Sequence, residues 1–459
     1  MRRATPVPTG ILIDLSSAAS PLYQRIYESI RQAILTGELS PRTALPSTLG
    51  LAEELGVSRI TVLQAYEMLI SEGYLYGVAG SGTFVAEILP EEFLYVPSPN
   101  RSSVKPYVEA RLSDRGSRMA EFAPFSPALR QPRRPFDATE YTTDLFPSDI
   151  WARLGARRYR LWKRDWLQYG EPAGYRPLRE ALAAYLRTAR GVDCTTDQVM
   201  IFSGLASMTT FVAQTLTDPG DTVWVGGTTD IHVPAAFEMA GASVVHAPFD
   251  GDSDMGLSSN VPLSARLAYV FPSCNEPMGD VMSMARRLVL LQWAQDHSAW
   301  VIESDDSGEF RYQGRPLPSL QGLDQHGRTF YVATFNRVLF PSLRLAYVVV
   351  PKALVQQFVA ARAVYDVHSP VFEQMVLADF ISEGHFQRQI RRLRLAYAER
   401  QRVLVDAAKD QLAGLLDIQP RDSGVQIVGW LPPGSSEHAA VEAAARHDVV
   451  VEPLERLSY

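Results

Sequence analysis

Between Pro21 and Val85 so many element boundaries fall so close together that very few folds stay open to the chain. Leu22, Ile26, Ile30, Ala33 and Ile34 recur three and four residues apart, the pattern of an amphipathic helix that ends near Gly37. In LPSTLGLAEELG, Pro46 opens a short second helix, Ser47 or Thr48 can cap it, and Gly56 closes it. VSRITVLQAYEMLISEG reads as a third helix: Ser58 is its N-cap, Val62, Ala65, Tyr66, Leu69 and Ile70 form the buried stripe, and Gly73 ends it. YLYGVAGSGTFVAE then supplies two short β-rich runs around Ala79-Gly80-Ser81-Gly82, a hairpin. Three helices with a tight turn between the last two, followed by a glycine-tipped hairpin, make a winged helix-turn-helix.

That segment is a small part of 459 residues, a length that calls for at least two domains. With 46% hydrophobic and 21% charged residues the composition is that of a soluble globular protein. No apolar run approaches the ~18 residues that a membrane span requires. MRRATPVPTGILIDLSS has two arginines but no apolar core segment, so secretion is not expected and a cytoplasmic location is. Cys194 and Cys274 are the only cysteines and stand far apart, which excludes a disulfide framework and a cysteine zinc site.

Charge is distributed unevenly around a net −7. Residues 20–86 carry Arg25, Arg31, Arg42 and Arg59 against Glu28, Glu38, Glu53, Glu54, Glu67 and Glu72, with no lysine. From 101 to 134 the sign reverses: seven arginines and Lys105 face Glu109, Asp114 and Glu121. Prolines are frequent and apolar periodicity weak over 89–135, so residues 1–88 read as one domain, 89–135 as a basic, proline-rich linker and 136–459 as a second domain. In that second domain apolar β-branched runs such as VMIF, TVWVG and WVIES alternate with helix-length segments, which indicates an α/β fold with a mostly parallel sheet.

The segment PLYQRIYESIRQAILTGELSPRTALPSTLGLAEELGVSRITVLQAYEMLISEGYLYGVAGSGTFV resembles the DNA-binding domain of the GntR superfamily. The resemblance implies that Ser58, Arg59 and Thr61 approach bases and phosphates of operator DNA in the major groove. It also implies that Ser47 and Thr48 hold a phosphate at the second helix's N-terminus, and that Gly80 and Ser81 form the wing tip. Each has a plainer reading beside it: Ser58 as a helix cap, Gly80 and Gly82 as turn glycines. The family usually has arginines where this chain has Leu49 and Val78. Each such arginine can supply a contact worth ~1–3 kcal/mol, so weak or strongly salt-sensitive DNA binding is expected.

Segments from YGEPAGYRPLREALAAYLRTARG to GRTFYVATFNRVLFPSLRLAYVVVP resemble, in order and spacing, the fold-type I aminotransferase domain of the MocR/GabR subfamily of these regulators. The resemblance implies a head-to-tail homodimer and a site for pyridoxal 5′-phosphate, bound to a lysine in a Ser-Lys-x-Leu-x-Pro motif. Here that motif reads Asn336-Arg337-Val338-Leu339-Phe340-Pro341, and a guanidinium cannot form a Schiff base. Ser304 stands in place of the aspartate that pairs with the pyridinium nitrogen, unless Asp305 serves by a one-residue shift; Asp306 replaces a tyrosine near the ring hydroxyl, and Asp230 the stacking tyrosine. Gly204, Leu205 and Ala206 open a helix that can cup an anion, Arg344 matches the family's phosphate arginine, and Asn275 lies near its ring-contacting position. Beyond VVVEPLERLSY the family continues through a strand and helix that bear a substrate-binding arginine.

These readings lead to a DNA-binding transcription regulator, not an enzyme, without covalent pyridoxal phosphate. Its large domain then serves as a sensor for a small polar or anionic effector, with Arg337 and Arg344 as a cationic floor, or as a dimerisation module. An Arg337–aspartate ion pair that fills the space is the alternative inside the cleft. A scaffold that binds no DNA, favoured by Leu49 and Val78, is the alternative for the chain; a pyridoxal-dependent aminotransferase ranks behind both.

Overall fold

The computed structural model describes residues 20–87, 110–122, 135–138, 141–161, 163–227, 229, 231–247, 262, 264–315 and 317–454. Two compact units, Met1–Ala110 and Arg111–Tyr459, divide within the stretch read as a linker.

In the first unit α1 (Leu22–Leu35), α2 (Thr48–Leu55) and α3 (Arg59–Ser71) surround one core, and β1 (Ala44–Leu45), β2 (Leu75–Val78) and β3 (Gly82–Val85) form a small antiparallel sheet in the order β1-β3-β2. Ile26, Ile30, Val62, Ala65, Leu69 and Val85 are among its fully enclosed side chains. Gly56, left-handed at φ +65°, ends α2, and the Tyr66 hydroxyl donates to the Pro46 carbonyl at 3.0 Å, tying α3 to the start of α2. Leu22 and Ile70, expected in the buried stripes, are exposed instead. Ile70 lies about a quarter-turn off the stripe of Val62, Ala65, Tyr66 and Leu69, because each four-residue step from Val62 through Tyr66 to Ile70 advances about 40° round the helix.

The second unit begins with α4 (Asp114–Glu121), capped by Ser113 and burying none of its side chains, which is why no apolar stripe marks it. Then follow α5 (Ser148–Arg160), α6 (Arg176–Tyr185), β4 (Val199–Phe202), α7 (Leu205–Leu216), β5 (Thr222–Gly226), α8 (His232–Ala240), β6 (Ser243–Ala247), β7 (Leu267–Val270), α9 (Met284–Asp296), β8 (Trp300–Ser304), α10 (Leu320–Leu323), β9 (Thr329–Thr334) and β10 (Ala346–Val349). After α11 (Val355–Tyr365), α12 (Val371–Ser382) and α13 (His385–Gln411) come a β11 (Asp417–Ile418)–β12 (Gly429–Trp430) pair and α14 (Glu437–Arg446).

Seven strands form one sheet in the order β4-β10-β9-β8-β7-β5-β6, parallel from β9 to β6, with β10 antiparallel to both its neighbours. Alternate residues pack on opposite layers: Val199 and Ile201 meet α6, α12 and α13, while Met200 and Phe202 meet α7 and α11. With both faces covered, the strands must be apolar throughout, so continuous runs rather than alternation mark them in the sequence. The parallel strands β5, β7, β8 and β9 all end at one edge, where an open α/β sheet places its ligand crevice.

Candidate functional site

In the first unit the candidate DNA face gathers at the starts of two helices. Ser47 Oγ accepts from the Gly50 amide at 3.0 Å, and Ser58 Oγ accepts from the Thr61 amide at 3.2 Å and lies 2.8 Å from Thr61 Oγ1. Both serines are therefore N-caps, and Thr48 is the first residue of α2 rather than its cap. Arg59 Nε donates to Thr48 Oγ1 at 3.4 Å, so the structure brings the two helix starts together as one polar patch. At the wing, Gly80 (φ +77°) and Gly82 (φ +121°) sit where side chains are strained, and the Ser81 amide closes the turn on the Val78 carbonyl at 3.0 Å. Leu49, Ile60, Leu63 and Val78 are exposed around this patch. Ile60 was not among the residues singled out from the sequence; its place opposite the buried stripe of α3 is the signal that could have found it.

In the second unit the cleft lies where β5, β7, β8 and β9 end. Arg337, after β9, is only 21% exposed, and its Nη2 forms an ion pair with Glu276 Oε2 from the loop after β7. Glu276 in turn accepts the Val425 amide on Oε1 at 2.9 Å, and the Arg337 guanidinium carbon lies 5.9 Å from the centre of the Tyr141 ring. Burial works against the Arg337 charge, but the Glu276 and Asp306 carboxylates more than offset it and hold the guanidinium protonated. The partner is thus a glutamate, where an aspartate was the expected alternative. Asp306 accepts the Thr334 amide on Oδ1 at 2.9 Å, and burial, opposed by Arg337, pushes its carboxyl up to about 6. Glu276 escaped the sequence reading because it adjoins a proline in a segment read as a turn.

Asp305 faces the opposite side of the sheet. Its carboxylate is paired with Arg190 and accepts the Tyr331 hydroxyl at 2.6 Å, so it is committed outside the cleft and does not take the place of Ser304. The Ser304 hydroxyl and the Asn275 side-chain oxygen are both enclosed and have no hydrogen-bond partner among the described residues. At the start of α7, Gly204 has φ +96°, and a Cβ there would lie 3.0 Å from the Arg344 guanidinium carbon. Arg344 is solvent-exposed and pairs with no carboxylate among the described residues, and the first turn, Leu205 and Ala206, adds backbone N–H groups that no helical carbonyl takes. Asp230 lies outside the described residues.

Residues 22–85 match the gntR family of bacterial regulatory proteins, and residues 136–458 match aminotransferase class I and II. The probable rhizopine catabolism regulatory protein MocR of Rhizobium meliloti is 38% identical over 95% of this chain and 87% of its own length. The transcriptional regulator TauR of Rhodobacter capsulatus is 30% identical over 86% of this chain and 81% of its own. This chain belongs to the MocR-type regulators of the GntR family. Its fold is also that of the Thermus thermophilus aspartate aminotransferase in its maleate complex, at a TM-score of 0.65 and 20% identity over 76% of this chain and 93% of the other.

In this MocR-type chain two features of the cleft bear on covalent pyridoxal phosphate. The residue after Asn336 is a guanidinium already engaged by Glu276, and the enclosed group at the end of β8 is a hydroxyl rather than a carboxylate. Of the four lysines, Lys163, Lys352 and Lys409 are exposed on other elements, and Lys105 lies outside the described residues. No helix among the described residues is long and apolar enough to cross a membrane, and no cluster of His, Cys, Asp and Glu there could hold a metal ion.

Proposed function

We propose that this MocR-type regulator binds operator DNA as a homodimer and that its aminotransferase-like unit works without catalysis and without covalently attached pyridoxal phosphate. The Arg337–Glu276 ion pair carries this reading: the attachment position holds a permanently charged, non-nucleophilic group whose partner leaves it no reason to move. The unit then acts as a sensor or dimerisation module. Arg344 beside the first turn of α7, with the partnerless Asn275 oxygen and Ser304 hydroxyl, supports a small polar or anionic effector held by charge and hydrogen bonds.

The purified chain, incubated with pyridoxal 5′-phosphate and reduced with borohydride, should yield no stoichiometric adduct on any lysine by mass spectrometry; one full equivalent on a single lysine overturns the reading. Fluorescence anisotropy with the DNA upstream of its own gene at ~50 mM salt should show binding. A scaffold that binds no DNA is favoured by the exposure of Leu49 and Val78, and saturable binding in that titration eliminates it.

A further inference from the structure

Ile60 is the most exposed large apolar side chain described in the first unit, at 68%, although isoleucine is a weaker helix former than alanine or leucine and nothing among the described residues covers it. At 100° per residue, Ile60 and Gln64 point directly away from the stripe of Val62, Ala65, Tyr66 and Leu69 that holds α3 to the core. Gln64 is exposed and its amide has no partner among the described residues. An apolar tip and a free amide thus stand one turn apart on the outer face of α3. Around them are the capped starts of α2 and α3 and the Arg59 guanidinium, all suited to phosphate oxygens.

An apolar centre inside a rim that favours anions matches the floor of a major groove, where the only apolar group on any base edge is the thymine methyl and adenine offers the acceptor–donor pair that a glutamine amide matches. Four residues of helix rise ~6 Å, close to two base-pair steps of ~3.4 Å. We propose that α3 reads A·T pairs in its operator through Ile60 on a thymine methyl and Gln64 on an adenine. The inference rests on the DNA-binding reading above and deepens it. Where Leu49 takes the place of an arginine, 53% exposed and uncharged, phosphate attraction is reduced and base-edge contacts carry a larger share of the affinity.

The full-length chain would be used to select duplexes from a random 30-base-pair library at ~50 mM salt. In the selected duplex each thymine would then be replaced by deoxyuridine, which lacks only the methyl, and binding followed by anisotropy. Wild type should lose affinity about fourfold at one or two positions, as expected for one methyl returned to water. Ile60→Ala should bind the thymine duplex more weakly and be indifferent to deoxyuridine there, while Gln64→Ala should lose its preference for adenine in a repeated selection. Both positions are exposed, so unchanged circular dichroism melting checks that the variants fold. The proposal is overturned if deoxyuridine is silent everywhere, if Ile60→Ala keeps the thymine dependence, or if Ile60→Ala alters only self-association in sedimentation. Retention of duplex without enrichment of any sequence overturns this proposal alone, whereas no retention of any duplex overturns the DNA-binding reading as well, which separates the two.

Discussion

At Asp306 three effects meet: burial raises its carboxyl, while the Arg337 charge and the Thr334 amide stabilise the anion, and burial wins to leave it at about 6. Raised above the unfolded value of ~3.9, such a group binds its proton more tightly in the folded chain. Its contribution to stability is therefore complete below pH ~4 and is lost as pH rises through about 6. Glu303, fully enclosed and pushed up to about 7, acts with the same sign. The urea midpoint should accordingly fall between pH 5 and pH 7.5. Asp306→Asn, which retains the oxygen that accepts from Thr334, should flatten that slope and stabilise the chain at pH 7.5 by on the order of 1–3 kcal/mol. A variant with the wild-type slope would clear Asp306 of the effect. Nearby, Arg190 lies so close over Gly308 that any Cβ there would overlap the Arg190–Asp305 pair, so a glycine in this loop serves the salt bridge rather than a turn.

Among elements, α3 makes two uses of its first turn. Ser58 satisfies a backbone N–H that the helix cannot, and the proposed DNA contacts fall on the same turn. Stability and binding can be separated there by chemistry. Ser58→Ala should destabilise the first unit by about 1 kcal/mol and weaken DNA binding. Ser58→Asp should restore the cap and the stability, since aspartate caps as well as serine, yet bind DNA still less, because its charge faces phosphates. If chemical denaturation and anisotropy showed Ser58→Asp equal to wild type in both respects, the position would be a cap and nothing more.

For the molecule as a whole, few arginines among the described residues stand at the helix-start patch where phosphate would lie. Arg31 donates to the Tyr74 hydroxyl, Arg42 pairs with Glu87 and Arg25 holds the Ser20 carbonyl, so Arg59 is the arginine placed on the helix-start patch. Weak binding, rather than steep salt sensitivity, follows from this: the slope of log K against log salt for a dimer should be shallower than about −4. Changing Arg130, Arg133 and Arg134 to glutamine should leave it unaltered if the basic stretch is a solvated spacer. A steeper slope that relaxes on this change would instead give those arginines a part in neutralising DNA.

What local chemistry dictates was legible in the sequence: a cap at Ser58 and one at Ser47 or Thr48, glycines at helix ends and the wing, and apolar runs that only a sheet covered on both faces requires. These depend on neighbours within a few residues, or on the nature of one side chain. Which groups meet across the sheet was decided by the tertiary structure alone. Glu276 and Arg337 are 61 positions apart and come together because β7 and β9 end at the same edge, whereas Asp305, next to Ser304, is turned to the other layer by strand alternation. Long-range pairing of charges is set by the path of the backbone, and a string of residue types does not record that path.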